Sequence, residues 1–161
     1  MSATRVSVIV LAYGTEPYLA ECVGSALATT TAEVEVIVVD NGASAAVATL
    51  ALDSRMRVER APHNLGYAGG CVFGASCARG DTLVFLNSDA IVEPAAIDRL
   101  VTAANQPGVG LASGDVRLAA RPEIMNTVGN PVHFLGVVWA GGYGEPAAEH
   151  ATSTDVATAS G

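Results

Sequence analysis

The sequence predicts an α/β domain with a mostly parallel, doubly wound sheet and helices on both faces. Apolar runs rich in Val, Ile and Leu recur along the chain, segments with helical spacing separate them, and turn-forming residues mark the boundaries. The chain has 161 residues, half of them hydrophobic (50%), which is enough for one domain with a substantial core.

The first three elements are a strand, a helix and a strand. Residues 6–11 form an almost unbroken apolar run, which is typical of a strand buried on both faces. Pro17 suits the first turn of a helix, apolar residues at helical spacing follow it, and the threonines at 29–31 end that helix. A second buried strand is predicted at 34–39.

The next elements contain smaller residues. An Ala-rich helix is predicted at 43–52, followed by a weaker strand at 57–60. Turn formers fill the loop at 62–70, and a helix of small residues at about 67–78 ends at Gly80, because glycine readily adopts the conformation that stops a helix.

The last clear elements are a strand at 81–86, a helix opened by Pro94 at 95–105, and a strand at 109–112. The periodicity then weakens through a Gly-rich stretch, and the final residues are small and polar. We therefore predict one incomplete domain at 1–146 and a flexible tail at 147–161.

The charge and the cysteines limit the class of protein. The net charge is −8 and all eight cations are arginines, which argues against a nucleic-acid partner because phosphate backbones need a basic face. Cys22, Cys71 and Cys77 contain no C-x-x-C spacing, so we expect reduced thiols. The N-terminus lacks the pattern of a signal peptide, and we expect a cytoplasmic chain, or one peripheral to the inner face of the membrane.

Polar side chains follow three of the predicted strands, at the point where each strand ends. Tyr13 follows the first strand, Asp40 the second, and Asp89 comes shortly after the strand at 81–86. In a parallel, doubly wound sheet the ligand lies beyond the carboxyl ends of the strands. We therefore expect these three side chains to face one crevice.

Two nucleotide-binding patterns are absent from the sequence. A dinucleotide fold needs G-x-G-x-x-G after its first strand, and residues 12–17 contain a single glycine. A G-x-x-x-x-G-K-[ST] phosphate loop is excluded because the chain has no lysine.

Four blocks of the sequence, taken in order, resemble family 2 glycosyltransferases. The blocks are VSVIVLAYGTEPYLAECVGSAL, VEVIVVDNGAS, HNLGYAGGCVFGA and DTLVFLNSDAIVEP. The resemblance implies a GT-A (Rossmann-like) fold, and it covers residues 5–118 and more weakly extends to 146. The NSDA version is similar to the branch that contains rhamnosyl- and galactofuranosyltransferases. Family members are usually longer, so this chain is interpreted as a truncated, N-terminal donor-binding part.

The resemblance implies a nucleotide site built from the strand ends and the Gly-rich block. Tyr13 would lie near the base, and Asp40 would accept an N–H of uracil or thymine, which favours a UDP- or dTDP-linked donor. Alternatives remain open: Asp40 caps the following helix, and the Gly-rich block is a plain turn. The implied nucleotide-binding residues are Ala12, Tyr13, Asp40, Asn41, Asn64, Gly66, Gly69, Asn87, Ser88 and Asp89.

Asp89 is also the implied metal ligand. An acidic protein holds a diphosphate most easily with a cation between them, and Mg²⁺ or Mn²⁺ prefers oxygen ligands. The family often has an Asp-x-Asp pair here, and Asn87 stands at the position of its first Asp. The chain therefore supplies only one carboxylate to the metal. The substrate phosphates, waters or another side chain must complete the coordination shell. The alternative is that Asp89 caps a helix or ends a strand.

The implied function is inverting transfer of a sugar from a nucleotide-sugar donor to a hydroxyl of a saccharide or lipid-linked saccharide acceptor, in cell-wall or surface polysaccharide synthesis. No residue matches the catalytic base of the family, so the catalytic residue is unassigned. The alternatives are a catalytically incomplete nucleotide-binding fragment and a pure interaction domain. A missing second half also predicts an exposed apolar edge and a possible homodimer.

Overall fold

The computed structural model describes residues 5–29 and 33–158. The chain divides into two compact units, Met1–Arg99 and Leu100–Gly161. The expected domain at 1–146 with a tail at 147–161 stays a prediction.

The first unit contains a sheet of four parallel strands in the order β3-β2-β1-β4. The four predicted strands are confirmed, with shifts of one residue at their ends. Every residue of the central strand β1 is buried, including Ser7, as expected for an almost unbroken apolar run in a parallel sheet. The strands are β1 (Val6–Ala12), β2 (Val34–Asp40), β3 (Met56–Arg60) and β4 (Thr82–Asn87).

The strand order reverses between β1 and β4. The chain moves outward from β1 through β2 to β3 and then returns, so that β4 lies on the other side of β1. At the carboxyl end of this junction Leu11 pairs with Asn87, while Ala12 pairs with Asp40 on β2. Ligand crevices of doubly wound sheets form at such a reversal.

Helices α1 (Leu19–Leu27) and α3 (Gly66–Cys77) both pack against β1 and β2. Part of α3 contacts the face that carries Ile9 and Val39. Successive residues of a strand point to opposite faces, so the fully buried Val8 lies on the other face. The predicted helices are confirmed at these two places; the end predicted for the first one, 29–31, lies partly outside the described residues.

Helix α3 approaches the sheet closely because of its glycines. A Cβ at Gly74 would lie 2.6 Å from Ile9 Cγ2 and 2.8 Å from Val39 Cγ2. Both neighbours are β-branched side chains with little rotamer freedom, so they cannot move aside easily. The helix of small residues read from the sequence is thus a requirement of packing.

We expect Gly74→Ala to lower the free energy of unfolding by about 1–3 kcal/mol, because the added methyl overpacks this contact. Gly24 on α1 is the matched control, since nothing lies within 4 Å of the point that a Cβ would occupy there, and Gly24→Ala should leave stability unchanged or raise it by up to about 1 kcal/mol. Urea unfolding followed by circular dichroism measures both. Equal stability of Gly74→Ala and the wild type would contradict the close approach.

Helix α2 (Ser44–Val47) is shorter than the Ala-rich helix predicted at 43–52. Only Val47 in it is buried, so the rest of the predicted segment has no apolar face to pack. The Thr49 hydroxyl donates to the carbonyl of Ala46 at 2.7 Å, a local bond that favours a turn.

β4 is an outer strand of this sheet, and its apolar side chains are partly open to solvent. Leu83 is 40% exposed and Phe85 48% exposed. The exposed apolar edge expected from the sequence is therefore present in the described part of the chain.

Helix α4 (Ala96–Ala104) confirms the helix predicted at 95–105. The strand predicted at 109–112 is wrong: the structure has no strand there within its described residues. Gly108 has a φ of +83°, and Gly110 interrupts the apolar run. Leu111 is 68% exposed, so the segment is not buried as a strand of the core would be.

The second unit instead contains an antiparallel pair, β5 (Val116–Leu118) and β6 (Arg121–Thr127), which the sequence analysis did not predict. Part of the expected tail is also ordered. Ala147–His150 forms a 3₁₀ turn and Thr158 pairs with Asn130. Residues 159–161 of that tail lie outside the described residues. None of the helices in the described ranges has both the length and the apolarity needed to span a bilayer.

Candidate functional site

A cavity of about 450 Å³ lies at the carboxyl ends of β1 and β4, where the strand order reverses. It brings together most of the residues selected from the sequence, and it adds three that were not selected. Its lining residues are Leu11, Tyr13, Glu16, Asn41, Asn64, Gly66, Tyr67, Asn87, Ser88 and Asp89.

Tyr13 is placed by the turns that follow β1 and β2. The N–H of Gly14 donates to the carbonyl of Gly42 at 3.2 Å and joins the two turns. A Cβ at Gly42 would lie 3.3 Å from Tyr13 Cδ2, so the absence of a side chain there makes room for the ring. Tyr13 is 59% exposed and lines the cavity.

Asp40 is buried behind the turn rather than in the lining of the cavity. Its Oδ1 accepts the N–H groups of Gly42 (3.2 Å) and Ala43 (2.9 Å). Its Oδ2 accepts hydrogen bonds from the Ser44 hydroxyl (2.8 Å) and from Arg60 Nε (3.1 Å). Burial acts to raise the pKa of Asp40, but these four hydrogen bonds outweigh it and hold the pKa below its ordinary value. These contacts hold the turn between β2 and the following short helix; they are not a cap of that helix, whose N-cap residue Ala43 has no side-chain cap.

Asn41 holds the Gly-rich loop against the end of β2. Its Oδ1 accepts the Leu65 N–H at 2.8 Å, and its Nδ2 donates to Asn64 Oδ1 at 3.1 Å and to the Gly66 carbonyl at 3.3 Å. Asn64 Oδ1 also accepts the Gly66 N–H at 2.8 Å. Gly66 has a φ of +70°, a conformation that a side chain would strain. These bonds fix the loop that enters α3.

Two further selected residues lie outside the lining. Ala12 is completely buried beneath the cavity. Gly69 faces its own helix turn, where a Cβ would lie 3.0 Å from Leu65 Cβ. Like Asp40, neither of these residues lines the cavity.

The end of β4 and the two residues after it present three polar side chains in a row. Asn87 Oδ1 accepts a hydrogen bond from the Tyr67 hydroxyl at 2.9 Å, and the Ser88 hydroxyl donates to Glu16 Oε2 at 2.7 Å. Asp89 is exposed, and its carboxylate makes no hydrogen bond or ion pair with the residues that the structure describes. It is therefore the carboxylate that remains open to a ligand.

Cys22 lies beneath this segment and donates to the Asn87 carbonyl, with an Sγ–O distance of 3.3 Å. Burial, together with the negative charges of Asp89 and Glu16, raises the pKa of its thiol to about 12. The thiol thus stays protonated and is no nucleophile at neutral pH. All three cysteines are free.

Sequence reasoning missed Glu16 and Tyr67 as lining residues. Tyr67 stands inside the Gly-rich block, and its position at the start of α3 was a usable signal. Glu16 stands in the turn after β1, where a carboxylate at a strand end was a weaker signal of the same kind.

The donor set fits a hard divalent cation that shares its shell with a substrate. The residues described contain no group of three or more His, Cys, Asp or Glu side chains able to hold a metal ion alone. The lining does contain the Asp89 and Glu16 carboxylates and the side-chain oxygens of Asn87 and Ser88, and Mg²⁺ or Mn²⁺ is bound through one or two carboxylates with phosphate oxygens and waters.

The sequence matches the family model described as "Glycosyl transferase family 2" over residues 7–123. It is 34% identical over 100 residues to "Glycosyltransferase GlyG" of Streptococcus pneumoniae, covering 59% of this chain and 33% of that protein. It is 32% identical over 110 residues to "Succinoglycan biosynthesis protein ExoO" of Rhizobium meliloti, covering 66% of this chain and 32% of that protein. The chain spans about a third of the length of the curated relatives it matches.

The fold is similar to that of S. aureus TarS 1-349, whose structures include complexes with UDP and with UDP-GlcNAc. For the UDP-GlcNAc complex the TM-score is 0.51, the identity 23%, and the match covers 63% of this chain and 31% of TarS 1-349. At this identity the likeness concerns the fold, a mostly parallel α/β sheet.

Proposed function

The chain belongs to glycosyl transferase family 2 and has the GT-A fold, and we propose that its cavity binds the nucleotide-sugar donor of a sugar-transfer reaction. The observation that supports this most is the placement of Asp89. Its carboxylate lines a cavity at the strand reversal and has no partner among the described residues, while the aromatic side chain of Tyr13 lines the same cavity.

Within this proposal the cavity has a base end and a diphosphate end. Tyr13 would pack against the base, since aromatic rings stack on nucleobases of any kind. The loop at Asn64 and Gly66, held by Asn41, would bring the start of α3 close to the diphosphate. The complexes of TarS with UDP and UDP-GlcNAc support a uridine donor, and dTDP is the alternative that a similar base would allow.

We assign the divalent cation to Asp89 within this proposal. Mg²⁺ or Mn²⁺, when bound, neutralises the charge that develops on the departing nucleoside diphosphate. Asp89 would hold the ion, with the oxygens of Asn87 and Ser88 nearby and the remaining ligands from the diphosphate and water.

The acceptor side of the proposal rests on the family and on relatives. A hydroxyl of a saccharide or lipid-linked saccharide would attack the anomeric carbon with inversion, in cell-wall or surface polysaccharide synthesis, as the name of the succinoglycan relative suggests. We keep the rhamnosyl- or galactofuranosyltransferase branch as the finer proposal. The cytoplasm, or the inner face of the membrane, is the proposed location, and the β4 edge is the proposed contact of a homodimer.

Nucleotide binding without transfer is the second candidate, and one observation favours it. Both oxygens of the other carboxylate in the lining, Glu16, already accept hydrogen bonds. If Asp89 holds the cation, no carboxylate in the described lining is left to take the proton of an acceptor hydroxyl.

Two measurements test these proposals. Titration calorimetry with UDP, dTDP and GDP, each with and without Mn²⁺, should show binding of UDP or dTDP that depends on Mn²⁺, and GDP should bind more weakly. Absence of binding for all three would contradict a donor site. Release of nucleoside diphosphate that depends on an added saccharide acceptor distinguishes the transferase from the binding-only candidate.

A further inference from the structure

Glu16 joins the two turns that form the rim of the cavity. Its Oε1 accepts the backbone N–H of Tyr13 at 3.0 Å, and its Oε2 accepts a hydrogen bond from the Ser88 hydroxyl at 2.7 Å. Tyr13 follows β1 and Ser88 follows β4, so one carboxylate bridges segments 72 residues apart across the strand reversal.

The backbone of Glu16 is strained at the point from which its side chain makes this bridge. Its φ is +38°, in the left-handed region that residues with a side chain rarely adopt, and it immediately precedes Pro17, which restricts its conformation further. Such a conformation persists only where the surrounding structure holds it, and it is found most often at binding sites.

The bridge ends next to the two groups that the proposed donor would contact. Glu16 lines the cavity together with Tyr13 and Asp89. Ser88 is 9% exposed and directly precedes Asp89 in the chain, so a bond that fixes Ser88 also fixes the backbone that presents the Asp89 carboxylate.

We propose that Glu16 is a positioning residue that sets the distance between the Tyr13 end and the Asp89 end of the donor site. This inference depends on the proposed function, because it assigns the bridge to the binding of a nucleoside diphosphate. A ligand that contacts both ends binds tightly only if they are already in place, since ordering them on binding reduces the affinity. Loss of the bridge therefore weakens binding although Glu16 need not touch the ligand.

Affinity for UDP in the presence of Mn²⁺, measured by calorimetry, tests the bridge. We expect Glu16→Ala to weaken binding by roughly tenfold, the effect of losing charge-assisted hydrogen bonds. Glu16→Gln should recover most of this loss, because its amide oxygen can accept the Tyr13 N–H and its NH₂ can donate to the Ser88 hydroxyl. Glu21→Ala removes the same charge from an exposed position on α1 and should leave the affinity unchanged.

A double-mutant cycle separates positioning from a general loss of structure. Ser88→Ala breaks one side of the bridge, so the effect of Glu16→Ala should be smaller in the Ser88→Ala background than in the wild type. Additive effects, or a Glu16→Gln variant as weak as Glu16→Ala, would overturn the positioning role. If Glu16→Ala fails to fold, Ser88→Ala alone must show the weaker binding, and an unchanged affinity overturns the inference.

The outcomes also distinguish this inference from the proposed function. A wild-type chain that binds none of the nucleotides overturns both. A wild type that binds UDP with Mn²⁺, together with a Glu16→Ala variant within about threefold of its affinity, overturns the positioning role alone.

Discussion

Asp89→Asn is expected to weaken Mn²⁺-dependent binding of UDP by about tenfold to a hundredfold, which is about 1.4–2.8 kcal/mol of binding free energy. The amide keeps one oxygen but loses the negative charge, and no other carboxylate in the described lining is free of hydrogen bonds to replace it. The dependence of UDP affinity on Mn²⁺ concentration, measured by calorimetry, gives the result directly.

Asp81→Asn is the matched control for this variant. Asp81 is exposed and precedes the amino end of β4. Its substitution by Asn therefore removes an equal charge at the end of the strand opposite to the cavity. The stability of Asp89→Asn should stay within about 0.5 kcal/mol of the wild type, because the carboxylate is exposed and makes no bond to the described residues. A Mn²⁺ dependence that is the same in Asp89→Asn as in the wild type would exclude Asp89 as the metal ligand.

Asp40→Ala should produce the largest loss of stability, about 2–4 kcal/mol of the free energy of unfolding. The substitution removes four hydrogen bonds and leaves the N–H groups of Gly42 and Ala43 without their side-chain acceptor. Urea unfolding measures the loss. Arg60→Ala is the control: this side chain is 71% exposed, so the variant should lose no more than about 1 kcal/mol. An Asp40→Ala variant no less stable than Arg60→Ala would contradict the role of Asp40 in holding this turn.

The contribution of Asp40 to stability also depends on pH. Hydrogen bonds hold its pKa in the folded chain below the value of about 3.9 that it has when unfolded. The unfolded chain therefore binds the proton more tightly, and the stabilisation is present above that value and is lost as the pH falls towards the folded pKa. The wild type should lose stability below about pH 4 more steeply than Asp40→Ala.

Glu35 adds to the same acid sensitivity of the wild type. Burial acts to raise its pKa, but hydrogen bonds from the Ser7 hydroxyl, the Arg79 N–H and Arg57 lower it overall. Because Glu35 is present in both proteins, the difference between the wild type and Asp40→Ala isolates the contribution of Asp40.

The core of the sheet could be predicted because the composition of each buried strand is visible in its own short segment of the sequence. Val6–Ala12 and Val34–Asp40 are rich in Val and Ile, a composition that burial on both faces of a sheet favours. The position of the site followed from the same strands, since polar residues at carboxyl ends meet at one edge of a parallel sheet.

The directions of the polar side chains could not be predicted in this way. The Asp40 carboxylate accepts hydrogen bonds from Ser44 and Arg60. The sequence around Asp40 does not show that Arg60, on the neighbouring strand β3, lies beside it. Glu16 depends on Ser88, 72 residues away. The role of Asp40 in accepting an N–H of the base stays a prediction, and the UDP affinity of Asp40→Asn tests it.

The errors beyond residue 105 have a different cause. The run at 109–112 has apolar residues typical of a strand, but a strand also needs a neighbouring strand to pair with. The run contains a glycine and follows another, Gly108, which weakens a strand, and no described strand pairs with it. β5 and β6 carry polar and charged residues on a largely exposed pair, so the hydrophobic pattern gave no signal there.

Anomalous diffraction from Mn²⁺, in crystals of this chain grown with UDP, tests the donor-site proposal most directly. The expected result is one strong peak within about 2.5 Å of an Asp89 carboxylate oxygen, with the diphosphate beside it and the uracil ring against Tyr13. A nucleotide bound with no Mn²⁺ at Asp89, or bound outside the cavity between β1 and β4, would contradict the account.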